Sequence, residues 1–165
     1  MIAAKTILVA TDFGPESEIA LRYGKDLARA FGAALHVVHV TDNLFARSVD
    51  GFGYAGFPPQ LQEEIEAEAR KRTDALLDES ERNELNAVTA TVTHNGPAAA
   101  IVEYARTHAV DLIIVGTHGR GAVARVFLGS VAERIVRSAP CPVLTVRHPE
   151  HDFVLPDALV AVSKA

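Results

Sequence analysis

The chain has 165 residues, 48% of them apolar, a formal net charge of −5 and a single cysteine. That length fits one domain with a sizeable core, and the apolar runs stop well short of the roughly 20 residues that a membrane span needs. The acidic balance, with no basic stripe, argues against a duplex nucleic-acid binder; one cysteine, Cys141, permits no internal disulfide, and the N-terminus runs into a strand without the series of a signal peptide, so a cytoplasmic protein is expected.

Lys5 to Thr11 (KTILVAT) reads as a first strand. Asp12-Phe-Gly-Pro15 ends it, and Pro15 suits the first turn of a helix. From Glu16 to Phe31, Ile19, Tyr23, Leu27 and Phe31 recur at helical spacing, and Gly32 predicts the stop. Leu35 to Val40 is a second strand. Thr41 to Pro59 is a long loop rich in glycine and aromatic residues, of a length that in compact domains is often functional. Gln60 to Leu85 reads as one long charged helix, with Leu61, Ile65, Ala69 and Leu76 marking its buried stripe.

Val88 to His94 alternates as a third strand, and Asn95-Gly-Pro97 turns into a helix carrying Ile101, Val102, Tyr104 and Ala105. Asp111-Leu-Ile-Ile-Val115 is too short and too apolar to be anything but a buried central strand. A helix from Gly129 to Ser138, with Val131, Ile135 and Val136 on one face, ends before Pro140-Cys-Pro142, and Val143 to Arg147 is a fifth strand. Strands alternating with helices mean an α/β protein with an open parallel sheet and helices on both faces. Residues 148–165 form a C-terminal tail with a short apolar patch at Leu155, Leu159 and Val160.

The most informative run follows the fourth strand: Gly116-Thr-His-Gly119, nine residues, then Gly129-Ser130 at a helix start. Glycines there let the backbone turn sharply or approach another molecule, and free N–H groups at a helix N-terminus form an anion site. The pattern points to a phosphate-bearing ligand, a nucleotide. In open sheets of this class, ligands sit outside the carboxyl ends of the strands where the strand order reverses. The loops after strands one and four, Asp12-Phe-Gly and Gly116-Thr-His-Gly119, are the candidates to meet there.

This G-x-x-G-x9-G-[ST] pattern resembles the nucleotide signature of the ATP-binding universal stress proteins, and every fixed position is present: Gly116, Gly119, Gly129 and Ser130. Ile7-Leu-Val-Ala-Thr-Asp12, Val110-Asp-Leu-Ile-Ile-Val-Gly-Thr-His-Gly-Arg120 and Ala139-Pro-Cys-Pro-Val-Leu-Thr-Val146 agree with it. The resemblance covers residues 1–147 as one nucleotide-binding domain and leaves the tail, 148–165, outside. It implies a Rossmann-like sheet of order 3-2-1-4-5, a homodimer built through the last strand (Val143–Arg147), and ATP bound with magnesium or manganese. It implies that Asp12 lies by base and ribose, that main chain at Val40 touches adenine, and that Gly116 approaches the ribose. Gly119, Arg120, Gly129, Ser130 and Val131 would hold the phosphates. Thr11, through its backbone, and His118, as a loop donor, complete the candidate set.

Each of these residues also has a plainer reading. Ser130 and Asp12 suit helix capping, and Arg120 suits either a phosphate fork or a solvated surface. Gly51-Phe-Gly-Tyr-Ala-Gly56 spells a dinucleotide motif but sits in a loop before Pro58. Gly119-Arg-Gly-Ala-Val-Ala124 spells its variant, yet Arg147 stands where an acidic ribose partner would be needed. No P-loop motif occurs in the sequence. His36 and His39 are three apart on a strand and point to opposite faces, so they make no metal pair, and Cys141 reads as buried and inert. The favoured function is nucleotide binding in a stress-response module. Slow ATP hydrolysis or autophosphorylation, and AMP or cyclic-nucleotide binding, are the alternatives.

Overall fold

Apolar strands and amphipathic helices resolve into a five-stranded, all-parallel sheet of order β3-β2-β1-β4-β5. The computed structural model describes residues 3–44, 58–117 and 129–147. Chain order runs β1 (Thr6–Thr11), α1 (Pro15–Phe31), β2 (Ala34–Thr41), α2 (Pro59–Asp74), α3 (Glu79–Glu84), β3 (Val88–Thr93), α4 (Pro97–Thr107), β4 (Leu112–Gly116), α5 (Ser130–Ser138) and β5 (Val143–Val146). Most of the 41–59 loop, both dinucleotide look-alikes and the 148–165 tail lie outside the described residues.

β1 is central, in register with β2 from Thr6↔Ala34 to Thr11↔His39 and with β4 from Ile7↔Leu112 to Val9↔Ile114. It is buried on both sides, which is why it reads as an unbroken apolar run. Ile7 and Val9 face α1 with Leu35, Val37 and Ile114. Leu8 faces α4 and α5 with Val38, Ile113 and Val115. Two hydrophobic layers, one on each face, therefore fix which helices lie above and below the sheet.

α1 keeps half of the expected stripe, with Ile19 buried and Leu27 packed against the core, and departs from it at the other two positions. Tyr23 and Phe31 are 42% and 43% exposed, while Ser17, Ala20, Gly24 and Ala28 are buried. Small residues win because the helix axis lies close to β1. A methyl group on Gly24 would collide with Val9 Cγ2 and come within 3.3 Å of Leu35 Cδ1. Gly32 ends α1 at φ 64°, as its position predicts.

The expected single helix over Gln60–Leu85 is two. α2 ends at Asp74, and α3 restarts at a capping box. Asp78 Oδ1 accepts the Glu81 N–H at 2.8 Å, and Glu81 Oε2 accepts the Asp78 N–H at 3.2 Å. Leu76 and Leu77 pack inward at the break, so the apolar spacing carries on across it. Lys25 Nζ to Glu81 (2.7 Å) and Arg29 to Glu84 (2.9 Å) hold α3 against α1. α5 differs in its face: Ala132 and Ile135 are buried, whereas Val131 and Val136 are 37% and 47% exposed. A nine-residue helix meets the sheet along one narrow stripe only.

His36 and His39 do point to opposite faces. His36 Nδ1 lies 3.0 Å from Tyr104 Oη, while His39 packs against Phe13. Tyr104 also stacks on His108, centroids 3.8 Å apart. Burial, aided by the neighbouring His108, pushes the His36 pKa below its ordinary 6.5.

Two predictions follow from this packing. Gly24→Ala gains the helix propensity of alanine, about 1 kcal/mol, and loses about 1–3 kcal/mol to overpacking on Val9. A net loss of stability, read as a lower urea midpoint with an unchanged slope, is expected; a higher midpoint would show that β1 retreats freely. Since His36 is held neutral on folding, the unfolded chain takes up the proton first. Its contribution is whole above pH 6.5 and is lost as pH falls below that value. The slope of stability against pH in that window should flatten in His36→Gln.

Candidate functional site

The carboxyl end of β1 turns into α1 through a short, heavily bonded loop. Asp12 Oδ1 accepts the Gly14 N–H at 2.9 Å, the turn geometry that Asp side chains favour. Thr11 Oγ1 accepts the Phe13 N–H at 3.0 Å and donates to Ser17 Oγ at 3.2 Å, and Ser17 in turn donates to the Gly14 carbonyl at 2.9 Å. His39 Nδ1, 2.8 Å from the Thr11 carbonyl oxygen, must carry the ring proton there. Phe13 adopts φ 61°, a left-handed conformation that costs a non-glycine residue about 1–2 kcal/mol. Its ring lies 4.3 Å from that of His39 and 4.1 Å beneath the Arg72 guanidinium.

The carboxyl end of β4 forms the facing wall. A Cβ at Gly116 would lie 2.7 Å from Glu16 Cβ and 3.1 Å from the Glu16 carbonyl carbon. The first turn of α1 therefore demands a glycine at this position on packing grounds. Thr117 Oγ1 donates to Glu16 Oε2 at 3.0 Å, and the Thr117 N–H donates to the Val146 carbonyl at 2.7 Å. Gly129 N–H donates to the Thr117 carbonyl at 2.6 Å, which sets the start of α5 beside the end of β4.

Gly129, not Ser130, is the N-cap of α5, and no side chain among the described residues caps it. Ser130 is the first helical residue, exposed and at the cavity wall, so its capping reading gives way to a place beside that cavity. The first N–H groups of any α-helix have no acceptor within the helix, and they carry the positive end of its dipole. Here Ser130, Val131 and Ala132 present that first turn to a cavity of about 500 Å³.

Seven of the residues singled out from the sequence meet at this cavity: Thr11, Asp12, Val40, Gly116, Gly129, Ser130 and Val131. His118, Gly119 and Arg120 lie outside the described residues. Ten further lining residues went unrecognised in the sequence, among them Val38, His39, Pro97, Ile101 and Ile135. Val38, Ile101 and Ile135 form an apolar floor between the sheet, α4 and α5. Pro97 brings in the start of α4, and His39 sits on the last rung of the β1–β2 ladder. Pro97 had a signal, because a helix that follows a parallel strand begins at the same sheet edge as the first and fifth helices. Apolar floor residues carry no signal that separates them from ordinary core.

Among the described residues, no group of three or more His, Cys, Asp or Glu side chains could hold a metal ion, and no helix is long and apolar enough to cross a membrane. Cys141 is half-buried rather than buried. Burial and the nearby Asp111 charge push its thiol pKa up, which keeps it unreactive.

Residues 3–147 match the model of the universal stress protein family. A universal stress protein of Thermus aquaticus is 36% identical over 143 residues, spanning 87% of this chain and 98% of its own. Among solved structures, that of the Methanocaldococcus jannaschii protein MJ0577 superposes with a TM-score of 0.70 at 28% identity, covering 91% of this chain and all of the other. A universal stress protein solved in complex with cAMP gives 0.55 at 26% identity, covering 88% of this chain and 98% of its own. An intact Gly116, Gly129 and Ser130 at one crevice, the sheet order and a match over nearly the whole length together make this chain a member of the universal stress protein family.

Proposed function

We propose that this chain binds an adenine nucleotide, ATP with Mg2+ or Mn2+, in the crevice between the ends of β1 and β4, and that binding rather than turnover is its activity. The observation that carries this reading is the first turn of α5, which no side chain among the described residues caps, facing a cavity of about 500 Å³ at the point where strand order reverses. That volume lies within the ~300–1,000 Å³ range of small-molecule sites, and a helix N-terminus there suits a phosphate.

In this reading the amides of Ser130 and Val131 grip phosphate oxygens, and Gly119, His118 and Arg120 are the further candidates to hold them. Main chain at Thr11 and Val40 meets the base, Asp12 and Gly116 flank the ribose, and the apolar floor takes the flat face of the base. Asp12 is the only formally charged side chain among the described lining residues. Phosphate charge is then offset by helix amides and by the cation, which the phosphates and water would ligate. Family membership and the exposed edge position of β5 support a homodimer through Val143–Arg147, and the composition suits a cytoplasmic protein. The relative solved with cAMP supports a second reading, in which AMP or a cyclic nucleotide takes the same cavity.

Calorimetric titration with Mg-ATP, AMP and cAMP tests the proposal. Binding heat and a rise in melting temperature are expected at about millimolar ATP or below; the absence of both for every nucleotide would end it. A larger shift with AMP or cAMP than with ATP selects the second reading. Ser130→Asp separates ligand contact from fold. A carboxylate at the start of α5 suits the helix dipole, so melting of the free protein should hold or rise while ATP affinity falls by about tenfold through charge repulsion. Steady-state hydrolysis faster than about one per second, the low end for kinases, would replace binding with catalysis.

A further inference from the structure

We propose that Arg72, on α2 and outside the cavity lining, is a positioning residue that sets nucleotide affinity by clamping the β1 loop through Phe13. The inference rests on the nucleotide reading above. Phe13 joins the pocket residue Asp12 to Gly14, the N-cap of α1, and holds φ 61°. Left-handed backbone at a bulky residue persists only where the surroundings impose it. Two ring contacts do so here. The Arg72 guanidinium lies 4.1 Å over one face of the ring, and the His39 ring lies 4.3 Å away at an interplanar angle of 38°.

His39 is itself fixed by its bond to the Thr11 carbonyl, one residue before Asp12. The stack of Arg72, Phe13 and His39 thus runs from the outer surface of α2 to the cavity wall. If Phe13 relaxes to negative φ, the peptides on both sides of it rotate. The Phe13 N–H then leaves Thr11 Oγ1 and the Gly14 N–H leaves Asp12 Oδ1, the two bonds that orient the loop. The Asp12 carboxylate is released from its turn, and the cavity loses the wall against which a ribose would rest. A charge on α2 therefore governs the pocket without touching its contents.

The test compares wild type, Arg72→Ala, Arg72→Lys, Phe13→Gly and the double variant Phe13→Gly/Arg72→Ala in Mg-ATP calorimetry, with amide hydrogen exchange at Gly14 measured on the free proteins. Arg72→Ala should weaken ATP binding by about fivefold, the size of one cation–π contact, and speed Gly14 exchange by about tenfold. Arg72→Lys, which keeps a cation over the ring, should recover most of both. Glycine adopts φ 61° unaided, so in the Phe13→Gly background removal of Arg72 should change neither quantity. A role for Arg72 in general stability would instead lower the melting temperature equally in both backgrounds. Unchanged Gly14 exchange in a folded Arg72→Ala protein overturns the inference, as does an equal loss of affinity with and without Phe13. Failure of wild type to bind any nucleotide overturns the function reading on which the inference stands. The exchange arm separates the two failures, because it needs no ligand.

Discussion

The divergence of the chain at the carboxyl ends of β1 and β4 is the constraint from which the site follows. These strands are neighbours at the centre of the sheet. The chain leaving β1 packs as α1 over Val9 and Val37, while α5, which follows β4, packs on the opposite face over Ile113 and Val115. Helices departing to opposite faces from adjacent strand ends open a crevice between them. Depth comes from the α4–α5 side, where Val38, Ile101 and Ile135 leave an apolar floor. Polarity comes from the edge, where the strands end and helices begin, so that main-chain groups face the opening.

How tightly α1 sits on the sheet decides the shape of one wall. Two glycines permit it: Gly24 beneath the middle of the helix, against Val9, and Gly116 beneath its first turn, against Glu16. The second lies within the glycine signature, yet its neighbours are the Cβ and backbone of Glu16. A motif glycine can therefore serve a ligand indirectly, by letting a helix start where the ligand needs it. Phe13 shows the other side of that close fit. With α1 held down at Gly14 and Asp12 held at the strand end, the residue between them is driven to φ 61°. Four contacts, from Thr11, His39, Arg72 and the Asp12–Gly14 turn, hold it there. Strain stored beside a cavity and supported from outside it is the pattern expected where geometry matters more than local stability.

Much of this was legible in the residues. Strand runs and the helix stops at Gly32 and before Pro140 depend on local chemistry that one sequence carries, whereas the meeting of the Asp12 and Gly116 loops depends on a strand order that the family resemblance implies. What escaped was set by neighbours. Tyr23 and Phe31 look like a buried stripe until the nearness of β1 selects Gly24 and Ala28 instead. The break between α2 and α3 hides in a charged run, because Asp78 and Glu81 resemble solvated surface until they bond each other's backbone. Val131 and Val136 look like core until a short helix meets the sheet along Ala132 and Ile135. His39 gives no hint of bordering a cavity, since that depends on β1 ending one rung opposite it. In α1 and α5 periodicity identified the element correctly, and the distance to the next element decided which face was buried; in the α2–α3 stretch the apolar spacing ran on across a break that only the capping box reveals.

An acidic chain is a workable scaffold for an anion site, because the two effects act over different distances. The net charge of −5 is spread over helices such as α2 and α3, whose carboxylates lie largely in solvent. Salt screens such charges beyond about 8–10 Å. The N-terminus of α5 acts at hydrogen-bond distance, on an apolar floor where the dielectric is low and a dipole counts for more. Asp12 stands nearer, but its Oδ1 is already turned to the Gly14 N–H, which draws part of its charge into the loop. In the proposed reading, main-chain donors outweigh the sign of the whole chain among the described groups at the mouth of α5. A site built from amides needs glycines, a helix start and correct spacing more than it needs basic side chains, and this is why Gly116, Gly129 and Ser130 carry more information here than the overall composition.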